Sequence, residues 1–142
     1  MNFSHGKLRK EIEMAENSVF VKNGEEILYL VSGKEEMLKQ ALGDKFTFLD
    51  SRAAEGAGEK HIPVVEKNGQ NITVKVGSVF HPMTDEHSIA WIFLETKKGG
   101  QFLTLTPQDE PVGHFVLADG DTACAAYAYC NLHGFWKADI TI

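Results

Sequence analysis

The stretch that decides the fold class is SIAWIFLE, residues 88–95, which is apolar on both of its faces. A strand of this kind is typical of the interior of a sheet, where both faces are covered. Just before it, residues 71–80 alternate, with Ile72, Val74 and Val76 on one face. Further short apolar segments, separated by turn sequences, follow at 101–106, 114–118, 122–129 and 135–142. This succession predicts a mainly β fold, an antiparallel immunoglobulin-like β-sandwich with a small N-terminal appendage.

The N-terminal part has a different pattern. Two short apolar runs within residues 17–31 predict a pair of strands joined by a tight turn. Ser32 and Glu35 have the spacing of a capping box, which predicts the start of a helix over 34–42. Gly43 then predicts the end of that helix.

A stretch of small residues separates this part from the β pattern. It covers 51–60, with the sequence SRAAEGAGEK, and predicts a linker. The expected division is therefore a small N-terminal region, 1–58, and a β-sandwich domain, 59–142.

Composition excludes several classes of protein. The chain has 142 residues, with 14 basic and 20 acidic side chains and a net charge of −6, which disfavours nucleic-acid binding. No apolar run approaches the roughly 20 residues that a membrane span requires. The first 16 residues are polar and contain no secretion signal, so we expect a cytoplasmic protein. The two cysteines are then expected to be reduced.

Two histidines in a turn-like context are the first candidates for metal ligands. His81 and His87 are six residues apart in HPMTDEH. On a helix that spacing corresponds to about 240° of rotation, and on a straight strand to about 20 Å. The two imidazoles can therefore meet only if the chain folds back, and Pro82 favours such a geometry by keeping His81 extended.

A second pair of candidates is Cys130 and His133, three residues apart and followed by glycine, as in a tight ligand knuckle. His61, between a lysine and Ile-Pro, is a third. The other residues of these types have simpler interpretations. His5 and His114 are expected to be incidental, Cys124 to be a packing residue, and the two tryptophans, Trp91 and Trp136, to lie in the core or in the wall of a site.

Three motifs together resemble those of the superoxide reductases, also called desulfoferrodoxins and neelaredoxins. They are EKHIP at 59–63, VKVGSVFHPMTDEHSIAWI at 74–92 and YCNLHGFWKA at 129–138. The resemblance implies one mononuclear iron per chain, held by four equatorial histidines and an axial thiolate. Carried over position by position, these ligands are His61, His81, His87 and His133, with Cys130 as the thiolate. Glu59 and Lys60 correspond to the Glu and Lys that precede the first ligand.

The same resemblance implies an activity. It is the one-electron reduction of superoxide to hydrogen peroxide, without formation of dioxygen, as the iron cycles between Fe²⁺ and Fe³⁺. Lys60 would help to attract the anion, and Glu59 would cap the ferric iron. The expected partners are superoxide, an external electron donor of the rubredoxin type and a second copy of the chain in a homodimer.

The N-terminal part departs from the two-iron members of this family, which carry a small module with four cysteines. Here no cysteine precedes Cys124. We therefore expect a one-iron member, in which residues 1–58 are a degenerate, metal-free desulforedoxin-like module with a linker.

Other interpretations of the candidate ligands remain open at this point. The chain could be an iron-binding electron-transfer module without a substrate, or an interaction domain with incidental histidines. A structural zinc site is disfavoured because it closes at four ligands. Blue copper is disfavoured because no methionine follows Cys130.

Overall fold

A computed structural model describes residues 18–51 and 58–141 of the chain. The chain divides into two compact units, Met1–Leu49 and Asp50–Ile142. Within the described residues, no helix has both the length and the apolar character needed to cross a membrane. Most of the predicted linker, together with His5, lies outside the described residues.

The described residues of the first unit form a three-stranded antiparallel sheet and one α-helix. Its central strand, β1, pairs with β2 on one side and with β3 on the other. The predicted strand pair and helix are confirmed. The elements are β1 (Phe20–Asn23), β2 (Glu26–Tyr29), α1 (Glu35–Leu42), a 3₁₀ turn (Gly43–Lys45) and β3 (Thr47–Phe48).

The predicted capping box at the start of α1 is wrong. It would require Gly33 to be helical, but this residue has φ 114°, which a helix cannot contain. The helix therefore begins later, after an extended Lys34 that provides no side-chain cap. The predicted end is confirmed, because Gly43 has φ 60° and its N–H donates to the carbonyl of Lys39.

In the second unit, the residues that the structure describes form two antiparallel sheets and a short helix. One sheet has the strand order β10-β9-β6-β7 and the other β4-β5-β8. The mainly antiparallel β architecture is therefore confirmed. The elements are α2 (Gly58–His61), β4 (Pro63–Asn68), β5 (Asn71–Val76), β6 (Ile89–Thr96), β7 (Gly99–Thr104), β8 (Val112–Val116), β9 (Ala123–Cys130) and β10 (Gly134–Asp139). Strand β4 was not predicted, because it lies at a sheet edge and its outward residues, such as Val64, are partly solvated.

The core lies between the two sheets. Strand β6 is interior to its sheet, as its two apolar faces predict, with β9 on one side and β7 on the other. Its alternate residues Trp91 and Phe93 point to the opposite face, where they pack against Tyr129 and Tyr127. The buried core includes, from both sheets, Ile72, Val74, Val76, Phe115, Ile92, Leu94, Ala126, Ala128 and Cys130.

A close backbone approach at Gly77 connects the end of β5 to the segment that carries α2. A Cβ atom at Gly77 would lie 2.7 Å from the carbonyl oxygen of Glu59 and 3.0 Å from that of Ile62. The same Glu59 oxygen accepts hydrogen bonds from the N–H of Val79 at 2.9 Å and the hydroxyl of Ser78 at 3.2 Å. The chain after β5 therefore fixes the position of residues 59–62.

We expect Gly77→Ala to lower the free energy of unfolding by about 1–3 kcal/mol, because the added methyl group meets backbone atoms that have little room to move. Urea denaturation would measure this change. Gln108→Ala, in an exposed turn, is the control and should change stability by less than about 0.5 kcal/mol. Equal denaturation midpoints for Gly77→Ala and the unmodified chain would contradict the tight contact.

Candidate metal centre

One end of the second unit carries all five candidate ligands. His61 is the last residue of α2, and only Ile62 separates it from β4. His81 and His87 lie in the loop between β5 and β6, and Cys130 and His133 flank the turn between β9 and β10. Because β6 begins where β9 ends, with Ile89 paired to Cys130, the loop and the turn are neighbours.

The structure brings these five side chains together. One ligand atom from each residue can be chosen so that all five atoms lie within 4.8 Å of one another. His61, His81 and Cys130 are buried, whereas His87 is half-buried and His133 is exposed. The cluster is therefore embedded in the protein but reaches solvent on one side.

The four imidazoles form an approximate square. Neighbouring ring centroids are 4.7 Å apart for His61–His81, 4.5 Å for His81–His87, and 4.9 Å for both His87–His133 and His133–His61. The diagonal from His61 to His87 is longer, at 6.4 Å. Neighbouring rings stand at 70° to 84° to one another. Four rings in this arrangement direct their nitrogen atoms towards a shared centre.

The distances between nitrogen atoms match a shared ion. Nε2 of His61 lies 3.2 Å from Nε2 of His81 and 3.2 Å from Nδ1 of His133. Two imidazole nitrogens bound at right angles to one ion, with bonds of about 2.1 Å, would be separated by about 3.0 Å. The observed separations are close to this value.

Two further observations favour a metal ion at this position. Nδ1 of His81 lies 2.7 Å from the carbonyl oxygen of Pro82 and donates to it, which leaves the lone pair of Nε2 directed inward. Nε2 of His87 is buried and has no hydrogen-bond partner among the described residues. A buried nitrogen without a partner is costly, and a metal ion would satisfy it. The donor set therefore fits a metal ion.

Cys130 supplies the sulfur of the cluster. Its Sγ accepts a hydrogen bond from the N–H of His133 at 3.4 Å and lies 3.8 Å from Nδ1 of the same residue. Burial raises the pKa of the thiol, while the N–H groups of His133 and Leu132 oppose this rise by stabilising the thiolate. Cys124, in contrast, is half-buried outside the cluster, with its Sγ 3.7 Å from the carbonyl oxygen of Thr122.

Two of the histidines, His81 and His87, have a lowered pKa that favours the neutral, metal-binding form. Burial is the main cause that lowers the pKa of His81 to about 4, and the neighbouring imidazoles lower it further, against the hydrogen bond to Pro82. The pKa of His87 is also lowered, by burial, by His133 and by the ammonium of Lys60. At neutral pH both rings therefore have a free lone pair.

Glu59 and Lys60 are exposed residues of α2, directly before His61. The ammonium of Lys60 contributes to the lowered pKa of His87. His114 is not part of the group; it is exposed, and its Nδ1 lies 3.4 Å from the hydroxyl of Thr73.

Two side chains support the ligands through contacts that the sequence motifs did not identify. The ring of Trp136 stacks on His61 at a centroid distance of 4.6 Å and an angle of 17°, and its Nε1–H donates to the carbonyl of His133 at 3.1 Å. Trp136 therefore forms a wall of the site, whereas Trp91 stacks on Tyr129. The side chain of Asn131 hydrogen-bonds to both neighbours of His87. The only sequence signal for Asn131 is its position inside the ligand knuckle.

Comparisons with known proteins agree with this geometry. A family model described as desulfoferrodoxin matches residues 53–139, a range that includes all five clustered residues. A desulfoferrodoxin of Clostridium acetobutylicum is 48% identical over 63% of this chain and 70% of its own length. A superoxide reductase of Pyrococcus horikoshii is 33% identical over 64% of this chain and 94% of its own length.

Among solved structures, the superoxide reductase from Treponema pallidum is similar to this chain with a TM-score of 0.63 and 45% identity. The similarity covers 70% of this chain and 83% of that protein. Together with the family-model match, these similarities show that the chain belongs to the desulfoferrodoxin family.

Proposed function

We propose that this protein is a superoxide reductase, which reduces superoxide to hydrogen peroxide at one mononuclear non-haem iron. The observation that carries the proposal is the square of four imidazoles with the sulfur of Cys130 beside it, with all donor atoms within 4.8 Å of one another. The relatives named superoxide reductase support the same activity. The proposed ligands are His61, His81, His87, His133 and Cys130.

The donor set favours iron over zinc and copper. Structural zinc sites close at four protein ligands, whereas five donors converge here. Blue copper needs a weak axial methionine. The nearest methionine in sequence, Met83, is unsuited to that role because its sulfur accepts a hydrogen bond from the N–H of Ile89 and its side chain packs against the core.

The reaction joins one superoxide anion, one electron and two protons to form one hydrogen peroxide molecule. Bound iron would supply the electron by changing between its ferrous and ferric states. The thiolate of Cys130 would raise the electron density of the centre, as axial thiolates do in haem proteins. Burial raises the pKa of Cys130 and so disfavours that thiolate, and the backbone N–H groups of His133 and Leu132 partly offset this effect.

The residues around the cluster suit a small anionic substrate. The chain has a net charge of −6, so attraction of an anion has to be local. The ammonium of Lys60 supplies a positive charge, which contributes to the lowered pKa of His87. We propose that it draws superoxide to the site and that, with solvent, it delivers protons to the product. The exposure of His133 favours access of a small substrate over a sealed electron carrier.

The same proposal includes two expected partners, an electron donor and a second copy of the chain. A one-electron donor of the rubredoxin type would return the protein to its reduced form, and a homodimer is the expected assembly. The N-terminal region is proposed to be free of metal, because the first cysteine in the sequence is Cys124.

The activity is tested by loading the protein with ferrous iron under anaerobic conditions and then measuring consumed superoxide, peroxide and dioxygen separately. We expect one iron per chain and peroxide without dioxygen. Dioxygen equal to peroxide would indicate dismutation and would contradict the proposal. Bound iron without any consumption of superoxide would favour the alternative, an electron-transfer module.

The ligand variants complete this test. Replacement of any one of His61, His81, His87 or His133 by alanine should weaken iron binding, because each supplies one bond. The matched control is His114→Ala, which removes an exposed histidine outside the cluster and should retain full iron content.

The two cysteines allow a second prediction. Cys130→Ser should abolish the thiolate-to-iron charge-transfer absorption and most of the activity, because a hydroxyl group donates electron density poorly. Cys124→Ser should keep both, and should lower stability by at most ~1–3 kcal/mol. Visible absorption spectra of the oxidised variants measure the difference. A band that survives in Cys130→Ser but not in Cys124→Ser would reverse the assignment.

Lys60 and Glu59 are expected to act at different stages. Lys60→Ala should lower the bimolecular rate with superoxide about 10-fold and weaken its dependence on ionic strength, because salt screens long-range attraction. Glu59→Ala should leave that rate unchanged but alter the ferric spectrum and strengthen the binding of azide or cyanide.

Pulse radiolysis at low and high salt, with anion titration of the oxidised forms, separates the two roles. Lys67→Ala on strand β4 removes an equal charge from an exposed position and serves as the control. If Lys60→Ala keeps the salt dependence of the unmodified protein, the attraction of superoxide does not depend on Lys60. If Glu59→Ala leaves the ferric spectrum unchanged, Glu59 is an ordinary surface carboxylate.

A further inference from the structure

We propose that Asn131 is a positioning residue for the metal centre, which ties the loop that carries His87 to the turn that carries Cys130 and His133. This inference rests on the proposed metal site but not on the identity of the substrate. It assigns a role to a side chain that is not itself among the five donors.

The side chain of Asn131 forms hydrogen bonds with the residues before and after His87 in the chain. Its Oδ1 accepts a hydrogen bond from the N–H of Ser88 at 3.0 Å, and its Nδ2 donates to the carbonyl oxygen of Glu86 at 3.0 Å. The N–H of Asn131 also donates to the carbonyl of Ser88 at 3.2 Å. Three hydrogen bonds therefore connect one residue of the turn to the two residues that flank His87.

The loop around His87 needs an external anchor. The backbone of His87 bonds to Thr84 within the same short turn: the N–H of Thr84 donates to the carbonyl of His87 at 2.9 Å, and the N–H of His87 donates to the hydroxyl of Thr84 at 3.0 Å. These bonds shape the turn, but they do not fix it relative to the other ligands. The contacts of Asn131 span 43 and 45 residues of sequence and supply that connection.

The chemistry of the contacts requires an amide. Ser88 offers a donor and Glu86 offers an acceptor, so the partner must present an acceptor on one side and a donor on the other. Aspartate would face the carbonyl of Glu86 with a second oxygen and would repel it. A carboxylate of nearly equal size is therefore not equivalent to Asn131.

The consequence concerns His87, whose Nε2 is buried without a partner among the described residues. When the ring is held in place before the metal arrives, little further ordering is needed at binding. Loss of a residue that orients a metal ligand typically weakens metal binding by about 10–100-fold. We expect Asn131→Ala to have an effect of this size, exerted through His87.

The experiment is a double-mutant cycle on metal affinity. Fe²⁺ binding is measured anaerobically by competition with a chelator for the unmodified protein, Asn131→Ala, His87→Ala and the double variant. We expect Asn131→Ala to weaken binding about 10–100-fold when His87 is present, and much less when His87 has already been removed. Asn71→Ala, which removes an exposed asparagine at the start of β5, is the control and should not change the affinity.

An equal loss of affinity in both backgrounds would overturn the proposal, because Asn131 would then act on the fold and not through His87. No loss in either background would overturn it as well. If Asn131→Ala fails to fold, the cycle is repeated with Asn131→Asp, which keeps an acceptor for Ser88 and removes the donor to Glu86. The ferric electron paramagnetic resonance spectrum of either variant should show a changed rhombicity, which a loss of stability alone does not produce.

These outcomes are distinct from those of the proposed function. A protein that binds iron and passes the cycle but does not consume superoxide would refute the activity and support the role of Asn131. A protein that consumes superoxide with an unchanged affinity in Asn131→Ala would support the activity and refute the role.

Discussion

The pairing of Ile89 with Cys130 is the contact on which the metal centre depends. It places the first residue of β6 beside the last residue of β9, so that the loop before one strand meets the turn after the other. Antiparallel pairing always joins the start of one strand to the end of its neighbour. Here that rule brings His87 next to Cys130 and His133, and the hydrogen bonds of Asn131 close the remaining distance.

Antiparallel pairing in the second sheet brings His61 and His81 together in the same way. The end of β5 pairs with the start of β4; His81 lies in the loop that follows β5, and His61 lies in the helix that precedes β4. Because Gly77 has no side chain, the backbone of residues 59–62 packs directly against it. The apolar core between the two sheets then joins both ligand pairs into one square. Rigid strands therefore hold ligands that are all at strand ends or in connecting segments.

The environment of the square suits both binding and reaction. Burial lowers the pKa of His81 and His87, so these two imidazoles can bind a cation without first losing a proton. The same burial raises the pKa of Cys130, which backbone N–H groups partly offset. His133 is exposed to solvent, and the ammonium of Lys60 contributes to the lowered pKa of His87.

The sequence by itself predicted the β class and, through the resemblance of its motifs, the five residues that the structure brings together. Two apolar faces in residues 88–95 required an interior strand, and the spacing of His81, His87 and the Cys130–His133 knuckle limited where ligands could lie. The sequence did not predict β4, because the residue pattern of this edge strand is weak. It also did not predict where α1 begins, because the positive φ of Gly33 prevents an earlier start. The stacking of Trp136 on His61 and the hydrogen bonds of Asn131 were decided only by the tertiary structure. Each contacts a residue that strand pairing and sheet packing bring close to it. The spacing of residues within a short motif cannot predict such contacts, because the two partners are 43 or more positions apart in the sequence.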